Sequence, residues 1–279
     1  MNPTTLALGA IVLWATLASL SLLLSHVPPF LLTGLALLVG SVLALPLTRF
    51  DLRQWRVPGT TLALGVYGLF GFHFLLFIAL RHAPPVQANL VNYLWPLGMV
   101  VLAPLLLPGV RLLPKQVLAA CTGFAGAALA ITGSQTWTGS WAWGYLAALG
   151  SAFIWASYSL LTKRVAPFPT AAIGVFALVS GLLSLLCHAL LEPPVTLTWR
   201  DGAWITVMGL GPLGAAFYLW DAALKRGDAR HIGLLSFFTP LLSTLLLVLL
   251  RGQSVGWPVL AAALLIVGAA FFGQSTKSS

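Results

Sequence analysis

Ten stretches of this chain are apolar over roughly the 20 residues, within a range of about 17–25, that a helix needs to cross the hydrocarbon core of a bilayer. They run approximately over 3–25, 29–48, 59–80, 84–107, 116–133, 143–162, 168–190, 202–224, 231–250 and 257–274. Turn chemistry separates them: Pro28 with Pro29, Pro84 with Pro85, Pro108 with Gly109, Pro167 to Pro169, and Pro193 with Pro194. Lipid offers no partner to a backbone N–H or C=O, so a span is either a helix or a strand of a closed barrel. A barrel would show short alternating segments instead of long continuous runs. The 279 residues are 59% hydrophobic and 7% charged, against about 25% charged in a soluble domain. The expected fold is therefore an all-α integral membrane protein of ten transmembrane helices, with 1–279 as one transmembrane domain.

The net charge of +9 comes from only fourteen Lys and Arg, spread through the short loops, so a nucleic-acid partner is not expected. Their distribution is a topology signal. One side collects Arg49, Arg53, Arg56, Arg111, Lys115, Lys163, Arg164, Lys225, Arg226, Arg230 and Lys277; the other has Arg81, Arg200 and Arg251. Positive-inside orientation then puts both termini in the cytoplasm. The N-terminus lacks a basic n-region and a cleavage site, and reads as a retained first helix. Trp55, Trp137, Trp141, Trp143, Trp199, Trp204 and Trp257 fall near span ends, as an interfacial belt requires. Cys121 and Cys187 lie far apart inside apolar runs, so neither a disulfide framework nor a zinc site is expected.

The chain repeats itself. "ALRHAPPVQANLVNYLWPL" (79–97) aligns without a gap to "ALKRGDARHIGLLSFFTPL" (223–241), at an offset of 144. Arg81 meets Lys225, Tyr93 meets Phe237, and Pro96 meets Pro240. Upstream, "LWATLASLSLL" (13–23) resembles "IWASYSLLTK" (154–163), with Trp14 over Trp155. Two halves, 1–138 and 139–279, would each hold five helices. An odd number forces the halves into opposite orientations, which is a 5+5 inverted-topology repeat.

Ten helices, this inverted repeat and cytoplasmic termini resemble the drug/metabolite transporter superfamily, in its EamA-type branch, over the whole chain. The stretch "NYLWP" (92–96) is similar to bacterial exporters of aromatic amino acids within that branch. The resemblance implies a secondary transporter in a bacterial inner membrane. It also implies that the first, third, fourth, sixth, eighth and ninth helices line a central cavity.

The residues themselves point to the same region. Asn89, Asn92 and Pro96 are spaced i, i+3, i+7 and share one helical face, flanked by Tyr93 and Trp95. Pro96 lacks an N–H, so the carbonyl of Asn92 loses its usual partner; Pro240 does the same to Ser236. Burying an unpaired amide costs on the order of 2–7 kcal/mol, so such a face meets another helix or water rather than lipid. A polar helix–helix clamp and a cavity both satisfy that requirement. Matching Pro-interrupted helices in two halves point to a transport site, with Pro96 and Pro240 as hinges. His73 sits in an aromatic stripe of Tyr67, Phe70, Phe74 and Phe77; it is either hydrogen-bonded structure or a functional group. Trp155 and Tyr158 share a face of the sixth span, and Tyr218 follows Pro212 in the eighth. The expected substrate-binding set is His73, Asn89, Asn92, Tyr93, Trp95, Trp155, Tyr158, Tyr218, Ser236 and Phe237. Aromatic walls with a few amides suit a ring carrying a polar backbone, hence aromatic amino acids. A broader drug or metabolite exporter is the alternative within the class. Outside it stand a channel and an intramembrane enzyme, and the latter lacks HExxH, GxSxG or any close His pair. No cofactor and no metal are expected. The sequence leaves the oligomeric state open. His73 is the one ionisable group deep in a span, so obligatory proton coupling is not expected.

Overall fold

The computed structural model describes residues 1–133, 141–250, 252 and 254–273, and these form helices and turns without a strand. Ten helical runs follow one another: α1 Pro3–Leu23, α2 Pro29–Leu47, α3 Gly59–His82, α4 Pro85–Leu106, α5 Pro114–Thr132, α6 Gly144–Leu161, α7 Thr170–Leu191, α8 Trp199–Arg226, α9 Ala229–Leu250 and α10 Trp257–Phe272. The first nine are long and apolar enough to cross a membrane; α10 is apolar but shorter, at 16 residues. The expectations for Trp137, Arg251, Lys277 and the 138/139 junction lie outside the described residues.

Local chemistry starts the helices. Proline opens α1, α2, α4 and α5, where its fixed φ fits and its missing N–H would have had no partner. Asn2 caps α1 by accepting the N–H of Thr4 at 3.0 Å. Thr198 and Asp201 form a reciprocal capping box at the start of α8.

Four helices are interrupted in matched places. A π-helical turn occupies Tyr67–Gly71 in α3, and another occupies Gly211–Ala215 in α8, 144 residues later. Helix α4 breaks after Asn92 and restarts at Trp95; α9 breaks after Leu235 and restarts at Phe238. Pro96 and Pro240 therefore sit in the first turn of a restarting segment, where the absent N–H costs nothing. The carbonyl of Ser236 is not left free as the sequence implied. It accepts the N–H of Thr239 at 3.0 Å, the tighter turn standing in for the lost α-helical bond.

The helices pack chiefly as α2 with α7, α5 with α10, α3 with α6, α1 with α8, α4 with α6, and α4 and α1 with α9. Small residues set the close crossings. A Cβ on Gly34 of α2 would come within 3.1 Å of the Gly181 carbonyl oxygen of α7, and one on Gly181 within 3.0 Å of that of Gly34. Contacts between loops define the two ends of the bundle. At one, Arg230 reaches the Arg111 carbonyl and Lys163 the Gly227 carbonyl. At the other, Arg81 reaches Glu192, and His26 reaches Asp201. Trp141, Trp143, Trp199, Trp204 and Trp257 are exposed, in keeping with a belt.

A central aromatic cluster as candidate functional site

Helices α1, α4, α6 and α8 each send one tryptophan to the same place. Trp14, Trp95, Trp155 and Trp220 are all buried, and every one of them touches at least two of the others. Trp155 is central, with ring centroids 5.7 Å from Trp14, 6.4 Å from Trp95, 6.3 Å from Trp220, 5.7 Å from Phe217, 5.3 Å from Phe72 and 5.3 Å from Tyr158. Most pairs are edge-on or tilted, the arrangement that ring quadrupoles favour. Glycine lets the helices come this close: a Cβ on Gly68 in the π turn of α3 would fall 2.3–2.7 Å from atoms of the Tyr158 ring.

The polar groups around the rings are mostly engaged. Trp220 Nε1 donates to Ser159 Oγ at 3.2 Å. Tyr67 Oη and Ser157 Oγ are 2.8 Å apart, joining α3 to α6. Asn92 Oδ1 lies 2.8 Å from Ser151 Oγ, which is also 2.8 Å from the Ala148 carbonyl. A hydroxyl has one proton, so turning the Asn92 amide over would satisfy both contacts. This is the α4–α6 clamp, one of the two arrangements open from the sequence. His73 is buried beside Phe72, Phe77 and Phe217, with Nδ1 2.6 Å from the Leu69 carbonyl. Asp221, next to Trp220, is paired with Lys225 at 2.6 Å, so this buried charge is compensated.

Among the expected site residues, Trp95, Trp155, Tyr158 and His73 come together. Asn89 and Tyr93 are half-buried on α4, at and before its break. Tyr218 and Phe237 point elsewhere. Tyr218 donates to the Gly40 carbonyl of α2 at 3.1 Å. Phe237 is fully buried in a second cluster with Leu234, Leu241, Val100 of α4, and residues of α5 and α10. Ser236 is buried and donates to the Ile232 carbonyl of its own helix at 3.1 Å. The cluster also contains Trp14, Phe72, Phe217 and Trp220, which the expected set omits. Mid-span depth and the match of Trp14 to Trp155 were the signals for the first. Among the described residues no three His, Cys, Asp or Glu side chains gather as metal ligands. Shallow apolar grooves on the outer faces of α5 and α10, along Leu118, Cys121 and Phe272, hold no charged group that would orient a polar solute.

The sequence matches the EamA-like transporter family over residues 3–132 and 142–273. It is 43% identical over 278 residues to the aromatic amino acid exporter YddG of Ancylobacter novellus, covering 96% of each chain. Its identity to the YddG exporter of Escherichia coli is 26% over 279 residues, covering 95% of this chain and 94% of that one. A crystal structure 40% identical in sequence superposes with a TM-score of 0.89, over 97% of this chain and 96% of that one. The chain is thus a multi-pass membrane transporter, not an enzyme, and it belongs to the EamA-like transporter family.

Proposed function

We propose that this protein exports aromatic amino acids by alternating access, with the Trp14–Trp95–Trp155–Trp220 cluster forming the floor of the solute path. The carrying observation is the convergence of four tryptophans from four different helices on one buried point in a largely apolar bundle. A packed scaffold needs no such convergence; a solute ring that stacks between helices does. Relatives named as aromatic amino acid exporters, one of them at 43% identity, support the same substrate class.

The inverted repeat has support of three kinds. The family matches each half separately. The π turns recur at the offset of the sequence repeat. The packing partners also exchange correctly when α1–α5 are renumbered α6–α10: α3 with α6 becomes α8 with α1, and α4 with α6 becomes α9 with α1. The ten described basic residues of the loop set that includes Arg111, Lys163 and Arg230 support cytoplasmic termini. Burial is densest toward that end. On α9, buried positions lie at 229, 232–237 and 239–241, with none from 242 to 250. This supports a reading in which the cluster closes the cytoplasmic side.

The test is counterflow of labelled phenylalanine, tryptophan, leucine and lysine in proteoliposomes. Saturable exchange of the aromatic pair, several-fold faster than of leucine or lysine, is expected. An imposed pH gradient, with the membrane potential clamped, should drive no uphill accumulation, since the acid nearest the cluster is held by Lys225. Equal rates for all four solutes would refute the aromatic preference. Single-channel currents would refute the carrier.

A further inference from the structure

An amino acid crossing this bundle brings an ammonium group into a site whose nearest acid, Asp221, is already paired through Oδ2 with Lys225. The chain has five carboxylates. Asp51 accepts the Arg53 N–H in a loop, Glu192 pairs with Arg81, Asp201 with His26, Asp221 with Lys225 and Asp228 with Arg230. A desolvated cation must then be met by neutral acceptors. Two hydroxyl acceptors beside the aromatic cluster are taken: Ser159 Oγ by Trp220 and Ser157 Oγ by Tyr67.

His73 differs. Its Nδ1 is 2.6 Å from the carbonyl of Leu69, which lies inside the π turn Tyr67–Gly71. A π turn displaces the α-helical donor pattern by one residue, and the His73 ring supplies a donor to that carbonyl from its own side chain. A carbonyl can only accept, so Nδ1 carries the proton. In the neutral imidazole Nε2 is then a bare lone pair. In the imidazole ring the Nε2 lone pair points away from the Leu69 carbonyl; the ring stands perpendicular to that of Phe217 of α8 at 6.3 Å, and Phe217 in turn touches Trp14 and Trp155.

We propose that His73 Nε2 accepts a hydrogen bond from the α-ammonium of the transported amino acid, in a tautomer fixed by the Leu69 carbonyl of the π turn. The proton stays on the solute, because an α-amino group holds it more tightly than an imidazole does. The ring of the solute then lies against the tryptophan cluster, and the ammonium fixes which way round it enters. The inference rests on the proposed amino acid substrate.

The experiment compares two ligands that share a ring and differ at the ammonium: L-phenylalanine and 3-phenylpropionate. Binding of each is measured to the reconstituted full chain, wild type, His73→Phe and His73→Gln. A bond to a charged donor predicts that His73→Phe weakens phenylalanine by about tenfold or more. The same change should move 3-phenylpropionate less than about twofold. His73→Gln, whose Oε1 can accept, recovers part of the loss. In ¹⁵N spectra of the wild type labelled at histidine, His73 is expected with Nδ1 protonated and Nε2 bare, and Nε2 shifts on adding phenylalanine. Equal losses for both ligands, no loss for either, or a protonated Nε2 with bare Nδ1 would each overturn the proposal. Should the wild type bind phenylalanine without these differences, only the role of His73 falls. Should it bind no amino acid, the substrate proposal falls with it.

Discussion

Trp155 is the side chain on which most of the central contacts converge. Each aromatic pair contributes about 0.5–1.5 kcal/mol beyond burial, and Trp155 takes part in six of them. Truncation to Ala would open a hole costing about 3–5 kcal/mol, so lost transport would then be ambiguous. Trp155→Phe keeps an apolar ring in place. That variant should express and melt close to wild type, while its aromatic amino acid flux falls by about tenfold, the equivalent of 1.4 kcal/mol at the barrier. Unchanged initial rates in proteoliposomes would remove Trp155 from the solute path. Gly68 makes the complementary case for the scaffold. A methyl there collides with the Tyr158 ring, and the π turn leaves little room to relax. Gly68→Ala should lower stability by about 1–3 kcal/mol, read as a drop in the melting temperature in detergent. Gly59→Ala, at a position with open space around it, should stay within about 0.5 kcal/mol.

At the scale of the helix, the repeat-matched cations Arg81 and Lys225 end α3 and α8 at opposite ends of the bundle. Each sits over a phenylalanine near the start of a helix of the α2/α7 pair. Arg81 Cζ is 5.6 Å from the Phe30 ring, and Lys225 Nζ is 3.9 Å from the Phe168 ring while donating to the Phe168 carbonyl at 2.8 Å. The Arg81 end is the more elaborate. The Glu192 carboxylate, fully buried, accepts from Arg81 at 2.7 Å and from the backbone N–H groups of Phe30 and Leu31, and lies 3.0 Å from His188 Nδ1. It therefore caps α2 while tying α3 to α7. Glu192→Gln removes the charge that pairs with Arg81 and leaves one oxygen where two accept. The loss should be on the order of 3 kcal/mol, as for other broken buried pairs. A melting temperature within a degree of wild type would contradict this. The sequence made part of this level legible: span positions follow from hydropathy, and the gap-free alignment sets Arg81 against Lys225. The directions of Tyr218 and Phe237 were not legible, because a place after Pro212 and a match to Tyr93 do not say which way a side chain faces. The π turn at Gly211–Ala215 adds a residue before Tyr218, and the break after Leu235 resets the phase before Phe237. Both side chains therefore leave the face that an ideal helix would give them. Trp155 and Tyr158 lie on α6, which runs unbroken from Gly144 to Leu161, and there the spacing puts both rings in the one aromatic cluster.

For the whole molecule, one end of the bundle is tied by three cations that reach carbonyls of other connections. Lys225 bonds Phe168, Lys163 bonds Gly227 at 2.6 Å, and Arg230 bonds Arg111 at 2.9 Å. Under the proposed orientation and alternating access, these ties and the tryptophan cluster part when the cytoplasmic side opens. Burial pushes the Asp228 carboxyl up, but Arg230 and Lys163 outweigh it and hold Asp228 below the usual carboxylate range, charged beside the Arg230 tie. The Asp228–Arg230 ion pair is therefore retained at neutral pH and lost only as acid protonates Asp228. What this arrangement proposes above all is that an aromatic amino acid lodges against the central rings. Photolabelling with the azide-bearing analogue of phenylalanine, followed by peptide mapping, reads that directly. Label is expected on the peptides of α3, α6 and α8 that carry Phe72, Trp155 and Phe217, and excess L-phenylalanine should abolish it. Label confined to the outer grooves of α5 and α10, or central label that phenylalanine does not displace, would contradict it.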